Sequence, residues 1–358
     1  MANLKALLHH ETLLEAYQEA AAEVGKPLFD KFYRNPRPAR TDDASLLVTP
    51  AQNKAAPFNT RGAPARVLSL QGKSKRQGAM FHTFNELQMS TQVFQGLREP
   101  SSEVINEIAS GEIRDQLDQF VRRHEIQKNL AMAKFLVTGE VIVDTNGEIV
   151  ESNSGDDVTL DFEIASTHQG QLNGLIDVTW ASSAADPEKQ FENIKEQARA
   201  ENAPPPDLVI ANSKIKQRIR AMTKFATLAA ASPMTSEKLL QGEFVEGLFG
   251  MKWWFVDGTY EDPSGTTRKY IPDDMVIMVP ENNTNWLRNL SGLELVPTDI
   301  NVGPSLEEKV NSLAKVYGDY AYAKLQDNPV RLSTFYGSHY GWVVAEPNAI
   351  WQADVVFG

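Results

Sequence analysis

The sequence predicts a mixed α+β chain in which a middle region is inserted between β elements. Three observations carry that reading. A helical pattern runs to Gly139, and alternating apolar and polar residues flank Asn146-Gly147 on both sides. Beyond Glu246 the chain is a succession of aromatic and β-branched runs, EGLFGMKWWFVDGTY, RKYIPDDMVIMVP and RLSTFYGSHYGWVVAEPNAIWQADVVF, punctuated by Gly, Pro and Asp.

Taken in order, residues 3–24 read as an amphipathic helix. Leu4, Leu7, Leu8, Leu14, Tyr17, Ala21 and Val24 share a stripe before Gly25 and Pro27 stop it. Lys26 to Asp43 is an irregular arm containing Pro and Arg. In the next stretch Pro50, Pro57, Pro64, Gly62, Gly72 and Gly78 forbid a continuous helix. The pieces RVLSLQG and AMFHTFNELQM alternate like two strands around a tip at residues 72–78. A hairpin with so little to bury is marginal alone, so it needs a surface to lie on, and another subunit is the simplest one.

A long helix follows, from about Ser110 to Thr138, with Leu117, Phe120, Val121 and His124 at i, i+3, i+4 and i+7. Its second half, QKNLAMAKFLV, is apolar over a wider arc and should pack on two sides. GEVIVDTNGEIVESN then reads as a hairpin with a type I′ turn at Asn146-Gly147, and VTLDFEI as a further strand. Asp186-Pro187 opens a helix through Ala200. NAPPPD is a boundary, and DLVIANSKIKQRIRAM is a buried strand followed by a helix. One more helix is expected around Ser305–Ala314.

Composition narrows the function. The chain has 358 residues, 42% hydrophobic and 23% charged, which is globular, and it contains no cysteine. That excludes disulfides, thiolate nucleophiles, iron–sulfur clusters and cysteine-ligated zinc. No run of roughly 18 apolar residues is present to span a membrane. The N-terminus carries acids where an export signal needs an apolar stretch, so none is expected. A net charge of −12 argues against attraction of the whole chain to nucleic acid.

That charge is segregated. From Ala44 to Asn85 there is no acid, while Lys54, Arg61, Arg66, Lys73, Lys75 and Arg76 supply six positive charges; removing them from −12 leaves −18 on the rest. From Phe135 to Glu188 there is no Lys or Arg and there are eleven acids, among them Glu140, Asp144, Glu148, Glu151, Asp156 and Asp157. Such blocks are either solvated faces or complementary surfaces on successive copies of one chain. The second alternative makes those twelve named residues candidate intersubunit contacts.

No catalytic chemistry is legible. There is no G-x-x-x-x-G-K-[ST] and no G-x-G-x-x-G. Gly337-Ser338-His339-Tyr340-Gly341 lacks the order of a nucleophile elbow. The histidines are scattered without the i, i+4 spacing of a helical metal site. Asp156-Asp157 and Asp273-Asp274 read as turn residues ahead of cation ligands. Trp253-Trp254-Phe255 and Tyr317, Tyr320 and Tyr322 read as packing groups. Accordingly, no catalytic, cofactor or metal site is predicted.

Three segments carry a resemblance. TGEVIVD after the long helix, YIPDDMVIMVPE, and DNPVRLSTFYGSHYGWVVAEPNAIWQADV resemble, in that order, segments of the lambda-type major head protein E family of tailed-phage capsid proteins. The resemblance implies the Hong-Kong-97-type fold. Its parts would be an N-terminal arm at 1–48, an extended loop at 49–92, and a peripheral domain at 93–203 with a spine helix near 110–138. An axial domain would follow at 204–324, opening near Pro204-Pro205-Pro206, with strands returning to the peripheral domain at 325–358.

It further implies homo-hexamers and homo-pentamers in an icosahedral shell around double-stranded DNA, contacted without sequence specificity. Scaffolding, portal and decoration proteins would be partners, with assembly in the host cytoplasm and residence in the virion. The extended loop would lie across a neighbouring subunit, although no motif names an acceptor for crosslinking to Lys73 or Lys75. The chain starts at Met1 with only a short helix, so a separate scaffolding protein, or the helix at 3–24 acting in part, is expected to guide assembly. Two alternatives stand beside this: an encapsulin-like compartment shell, and a metal-dependent hydrolase built on the paired aspartates.

Overall fold

In the computed structural model, the described residues are 9–24, 28–33, 35–39, 45–48, 74–88, 103–172, 174–231, 240–262, 264–282, 285–298, 313–327 and 330–356. They form five α-helices: α1 (His10–Val24), α2 (Glu103–Thr138), α3 (Pro187–Ala200), α4 (Ser213–Ala221) and α5 (Thr223–Ala231). The chain divides into two compact units. Met1–Ala44, Gly78–Asn129 and Asn289–Trp342 make the first; Ser45–Gln77, Leu130–Arg288 and Val343–Gly358 make the second.

The first unit is built on the strand Val330–Val344. It pairs antiparallel with Asp319–Asp327 along one edge and with Ala79–Gln88 along the other. Leu287–Pro297 extends the sheet and pairs with both Arg37–Ala39 and Leu313–Tyr317. On this sheet α1 and the first half of α2 bury Leu13, Tyr17, Ala20, Leu117, Phe120 and Val121 against Ala321, Ala323 and Tyr336. The expected α2 face is therefore the buried one. On α1 the buried set is Leu13, Tyr17 and Ala20, at i, i+4 and i+7, with Leu14 only half-buried. Residues 3–8 of the expected helix lie outside the described residues.

Three polar ties fix α1 and the segment after it to α2. The Tyr17 hydroxyl meets His124 Nδ1 at 3.0 Å. The Tyr33 hydroxyl donates to the Lys128 carbonyl at 2.7 Å, and the Phe29 amide donates to Asn129 Oδ1 at 3.3 Å.

The second unit holds a six-stranded mixed sheet. Its order is Phe244–Leu248, Met251–Phe255, Leu208–Ala211, Met275–Val279, Trp351–Asp354 and Gln169–Gly170. One face alternates through Val209, Ala211, Trp253, Phe255, Val276, Met278, Trp351 and Ala353, and buries Phe191, Ile194, Ile215 and Ile219 of α3 and α4. From the other face Gln352 Nε2 donates to the carbonyls of Phe135 and Leu136, both at 3.0 Å. Asp186 caps α3 by accepting from the Lys189 amide, as expected, and Asn212 caps α4.

Four expectations change. α2 begins at Glu103, because an interior glycine such as Gly111 costs only about 1 kcal/mol and does not end a helix of 36 residues. Ala79–Gln88 is a strand, but its partner is Val330–Val344; residues 66–72 lie outside the described residues. The expected tip at 72–78 contains the strand Ser74–Gln77, paired with Ser45–Val48. The helix expected to reach Ala314 meets a strand at Leu313–Tyr317, and residues 305–312 lie outside the described residues.

The Asn146-Gly147 turn is also not type I′. The register Val143↔Ile149 leaves Asp144 to Glu148 in the loop, and within it only Gly147 has positive φ, +83°. The Gly147 amide donates to the Asp144 carbonyl at 3.0 Å, and the Asp144 amide to that of Glu148 at 2.9 Å. This is a type I turn followed by a left-handed glycine.

Gly139 ends α2 at φ +78°, and a Cβ there would lie 2.7 Å from Gln169 Nε2 and 3.0 Å from Ile164 Cδ1. At Gly147, also left-handed, a Cβ would meet nothing within 4 Å. Chemical denaturation of the unassembled subunit should show Gly147→Ala costing about 1–2 kcal/mol and Gly139→Ala about 3 kcal/mol.

Burial, helped by the Lys128 charge and opposed by Asp319, pushes His124 down to about 4. The unfolded chain binds that proton near pH 6.5, so the contribution is whole above pH 6.5 and is lost as pH falls toward 4, at most about 3 kcal/mol. The stability difference between wild type and His124→Gln, followed from pH 7 to 4, should shrink by that order.

Candidate functional site

The acidic block lies in the second unit and begins as a three-stranded sheet. Glu140–Val143 is central, between Ile149–Val150 and Val158–Asp161. Local chemistry explains part of its acidity. Asp144 accepts from the amides of Asn146 at 2.9 Å and Glu148 at 2.7 Å, closing the turn, and the Glu148 bond leads in holding its carboxyl below the usual range. Asp157 accepts from the Ser154 amide at 2.8 Å and hydroxyl at 2.9 Å.

Glu151 pairs with Lys134 of α2 at 2.5 Å and accepts from the Tyr260 hydroxyl at 2.9 Å. Burial alone would raise this carboxyl; the Lys134 hydrogen bond and charge outweigh it, and the net shift is downward. The side chains of Glu140, Glu148 and Asp156 have no partner among the described residues. Glu148 and Asp156 are exposed, and Glu140 is half-buried.

Other members of the block are engaged within the chain. Asp186 and Glu188 hold Lys224 at 3.5 and 2.7 Å, and Asp177 holds Lys189 at 3.8 Å. Glu163, itself at φ +59°, accepts from the Arg76 guanidinium. Of the candidate basic residues, Lys54, Arg61, Arg66 and Lys73 lie outside the described residues. Lys75 lies in the strand Ser74–Gln77, and only Arg76 has a described side chain. One basic stretch carries no expectation in the resemblance: Leu208 to Ser236 holds five cations and no acid, the same signal that marks 44–85.

The chemical alternatives gain nothing here. Asp273 accepts from Lys269 at 2.5 Å and from Asn212 Nδ2 at 2.7 Å, so it braces the α4 cap. Ser338 lies inside the strand Val330–Val344, with its hydroxyl on Asp319 at 2.5 Å. Among the described residues no three His, Asp or Glu side chains gather as a metal site would require.

A long helix running into a small sheet, within a chain of two sheet-based units, is an arrangement shared with solved phage capsid structures. The chain belongs to the phage major capsid protein E family, whose model matches residues 11–317. It is a head-shell protein of a tailed phage, and the fold is of the Hong-Kong-97 type. No curated protein matches the chain.

Among solved structures, a protein assigned as a prophage capsid protein of Escherichia coli CFT073 matches with TM-score 0.56 at 14% identity, over 98% of this chain and 99% of its own. A phage-related protein of Bordetella bronchiseptica RB50 gives 0.48 at 10% identity, over 94% and 96%. The satellite phage P4 procapsid including size determination (Sid) protein gives 0.47 at 11%, over 97% and 90%. Virion residence and self-assembly with other phage proteins follow from the family.

The Arg76–Glu163 pair is partly exposed on both sides. Arg76→Ala should therefore lower the stability of the unassembled subunit by no more than about 1 kcal/mol in a urea titration.

Proposed function

We propose that this chain works entirely through binding energy, as the repeated subunit of an icosahedral head made of homo-hexamers and homo-pentamers. The family match over residues 11–317 carries the reading. In it, the chain is not an enzyme. Copies assemble in the host cytoplasm with scaffolding, portal and decoration proteins, around double-stranded DNA met on the inner face without sequence specificity. A predominantly acidic subunit suits that role, since a strongly adhesive wall would hinder movement of the packaged polyanion.

The division into arm 1–48, loop 49–92, peripheral domain 93–203, axial domain 204–324 and returning strands 325–358 belongs to the same proposal. The α2 helix within 93–203, and the strand Leu208–Ala211 just past the triple proline, support it. The basic residues Lys54, Arg61, Arg66, Lys73, Lys75 and Arg76 of one copy would face the acidic sheet of the next. Glu140, Glu148 and Asp156, without side-chain partners among the described residues, are the acids best placed to receive them. An arm and a loop that each grasp a neighbour add avidity without enlarging any single contact.

Negative-stain microscopy of the purified protein should show closed shells, and a high ratio of absorbance at 260 to 280 nm should separate a DNA-filled head from a cargo compartment. A stable monomer under every assembly condition would overturn the reading. Reversing Lys73 and Lys75 to Glu should sharply reduce shell yield while leaving the melting curve of the free subunit unchanged.

A further inference from the structure

The sheet of the first unit has one face covered by helices. Ala321, Ala323 and Tyr336 turn toward α1 and α2, so by alternation Tyr320, Tyr322, Phe335 and Gly337 turn the other way. The register sets Phe84 opposite Gly337 and Glu86 opposite Phe335, which places both on that second face. Gly337 has Tyr320 as its partner on its other side. A Cβ at Gly337 would lie 2.3 Å from Tyr320 Cζ, so the tyrosine ring lies across the glycine instead of standing off the sheet.

Phe84 completes the layer of rings that results. Its centre is 5.4 Å from that of Phe335 and 6.4 Å from those of Tyr320 and Tyr322, with planes within 24° of its own. Tyr320 and Phe335 are buried, whereas Phe84 is 48% exposed. Carboxylates adjoin the layer. Glu294 is held by His82 and His339 at 3.3 and 2.9 Å. Glu86 is exposed and has no hydrogen bond or ion pair among the described residues. Burial first, then the charges of Glu294 and Glu86, push the Tyr322 hydroxyl up, so both acids act on these rings. Lys324, two residues past Tyr322, has no carboxylate within 4.0 Å and leaves Glu86 free. A half-exposed aromatic face beside a free carboxylate attracts a cation.

Cations of the matching kind stand on α4. Lys214, Arg218 and Arg220 have no carboxylate within 4.0 Å among the described residues. The acids at the start of this helix are occupied. Asp257 accepts from the Ser213 amide at 2.8 Å and from its hydroxyl, and Asp273 accepts from Lys269 and Asn212. With Ile215 and Ile219 buried, Lys214, Gln217 and Arg220 form the exposed ridge at i, i+3 and i+6. Six helical residues rise about 9 Å, and two strand residues, as from Phe84 to Glu86, about 7 Å. Long side chains absorb that difference.

We infer that α4 of one subunit seats on the Phe84 layer of another, with the Arg220 guanidinium stacked on the ring and Lys214 toward Glu86. The inference rests on the shell reading above and adds a contact that uses none of the twelve charged residues assigned there. A planar guanidinium suits an aromatic face better than an ammonium does. Nucleic acid suits it poorly, because Glu86 and Glu294 repel phosphate. Since the two surfaces differ, the contact is head-to-tail, and its repetition closes a ring when the rotation allows.

The test separates the ring from its apolar bulk and then exchanges the charges, all in the full chain. Phe84→Leu keeps the sheet covered but removes the aromatic face. It should raise the subunit concentration needed for shells by about tenfold, whereas Phe84→Tyr should assemble normally. Arg220→Glu should abolish shells in sedimentation and microscopy. Lys214→Glu and Glu86→Lys should each lower their yield, and the chain carrying both should recover it. Melting of the free subunits confirms that each variant folds.

Normal assembly of Phe84→Leu or of Arg220→Glu would overturn the inference; if Arg220→Glu shells also retained less DNA, α4 would belong to nucleic acid. Failure of the exchanged pair to recover, with folding intact, would overturn it equally. Absence of shells from the wild-type chain would instead overturn the shell reading itself.

Discussion

The side-chain amide of Gln352 donates to the carbonyls of Phe135 and Leu136, where α2 ends. A helix C-terminus leaves its final carbonyls without internal partners, and in a buried place that is costly. Here the Gln352 amide, from a strand inside the sheet, meets part of the need. Gln169 adds to it by donating to the Thr138 carbonyl at 3.1 Å. Gly139 then takes the left-handed turn that sends the chain into Glu140–Val143. The acidic sheet therefore depends on one helix end, because the strand that forms its centre starts one residue beyond that turn.

Much of this was legible because the information is local. The α2 face of Leu117, Phe120, Val121 and His124, the Asp186-Pro187 start of α3, and the buried run Leu208–Ala211 each follow from spacing within one element. What was not legible depends on distant parts of the chain. AMFHTFNELQ alternates as a strand should, but period alone names no partner, and the partner is about 250 residues away in sequence. The Asn146-Gly147 dipeptide predicts a two-residue turn. Asp144, by accepting from two loop amides, stabilises the wider one instead.

Charge shows the same limit more sharply. Counting acids and bases located the blocks, yet it could not divide them into groups with partners in their own chain and groups without. Glu151 closes on Lys134, Asp186 and Glu188 on Lys224, and Glu163 on Arg76, whereas Glu140, Glu148 and Asp156 have no side-chain partner among the described residues. A basic run can also escape notice when it lies inside a well-formed helix, as in α4. There the apolar pattern of Ile215 and Ile219 explains the element so fully that its charges draw no attention. The surface that binds is what remains after the internal pairs are subtracted, and that subtraction needs three dimensions.

The strand Trp351–Asp354 sits between Met275–Val279 and Gln169–Gly170, one place in from the sheet's edge. During synthesis, the ribosome releases more than three hundred residues before this strand is available. Until then Met275–Val279 lacks a neighbour on one side and the end of α2 lacks the Gln352 amide. A growing polypeptide therefore cannot complete the second unit early, and surfaces that depend on that unit mature only once translation has passed residue 354. Such lateness separates folding from association: the surfaces of the second unit are complete only after each copy has finished its own interior.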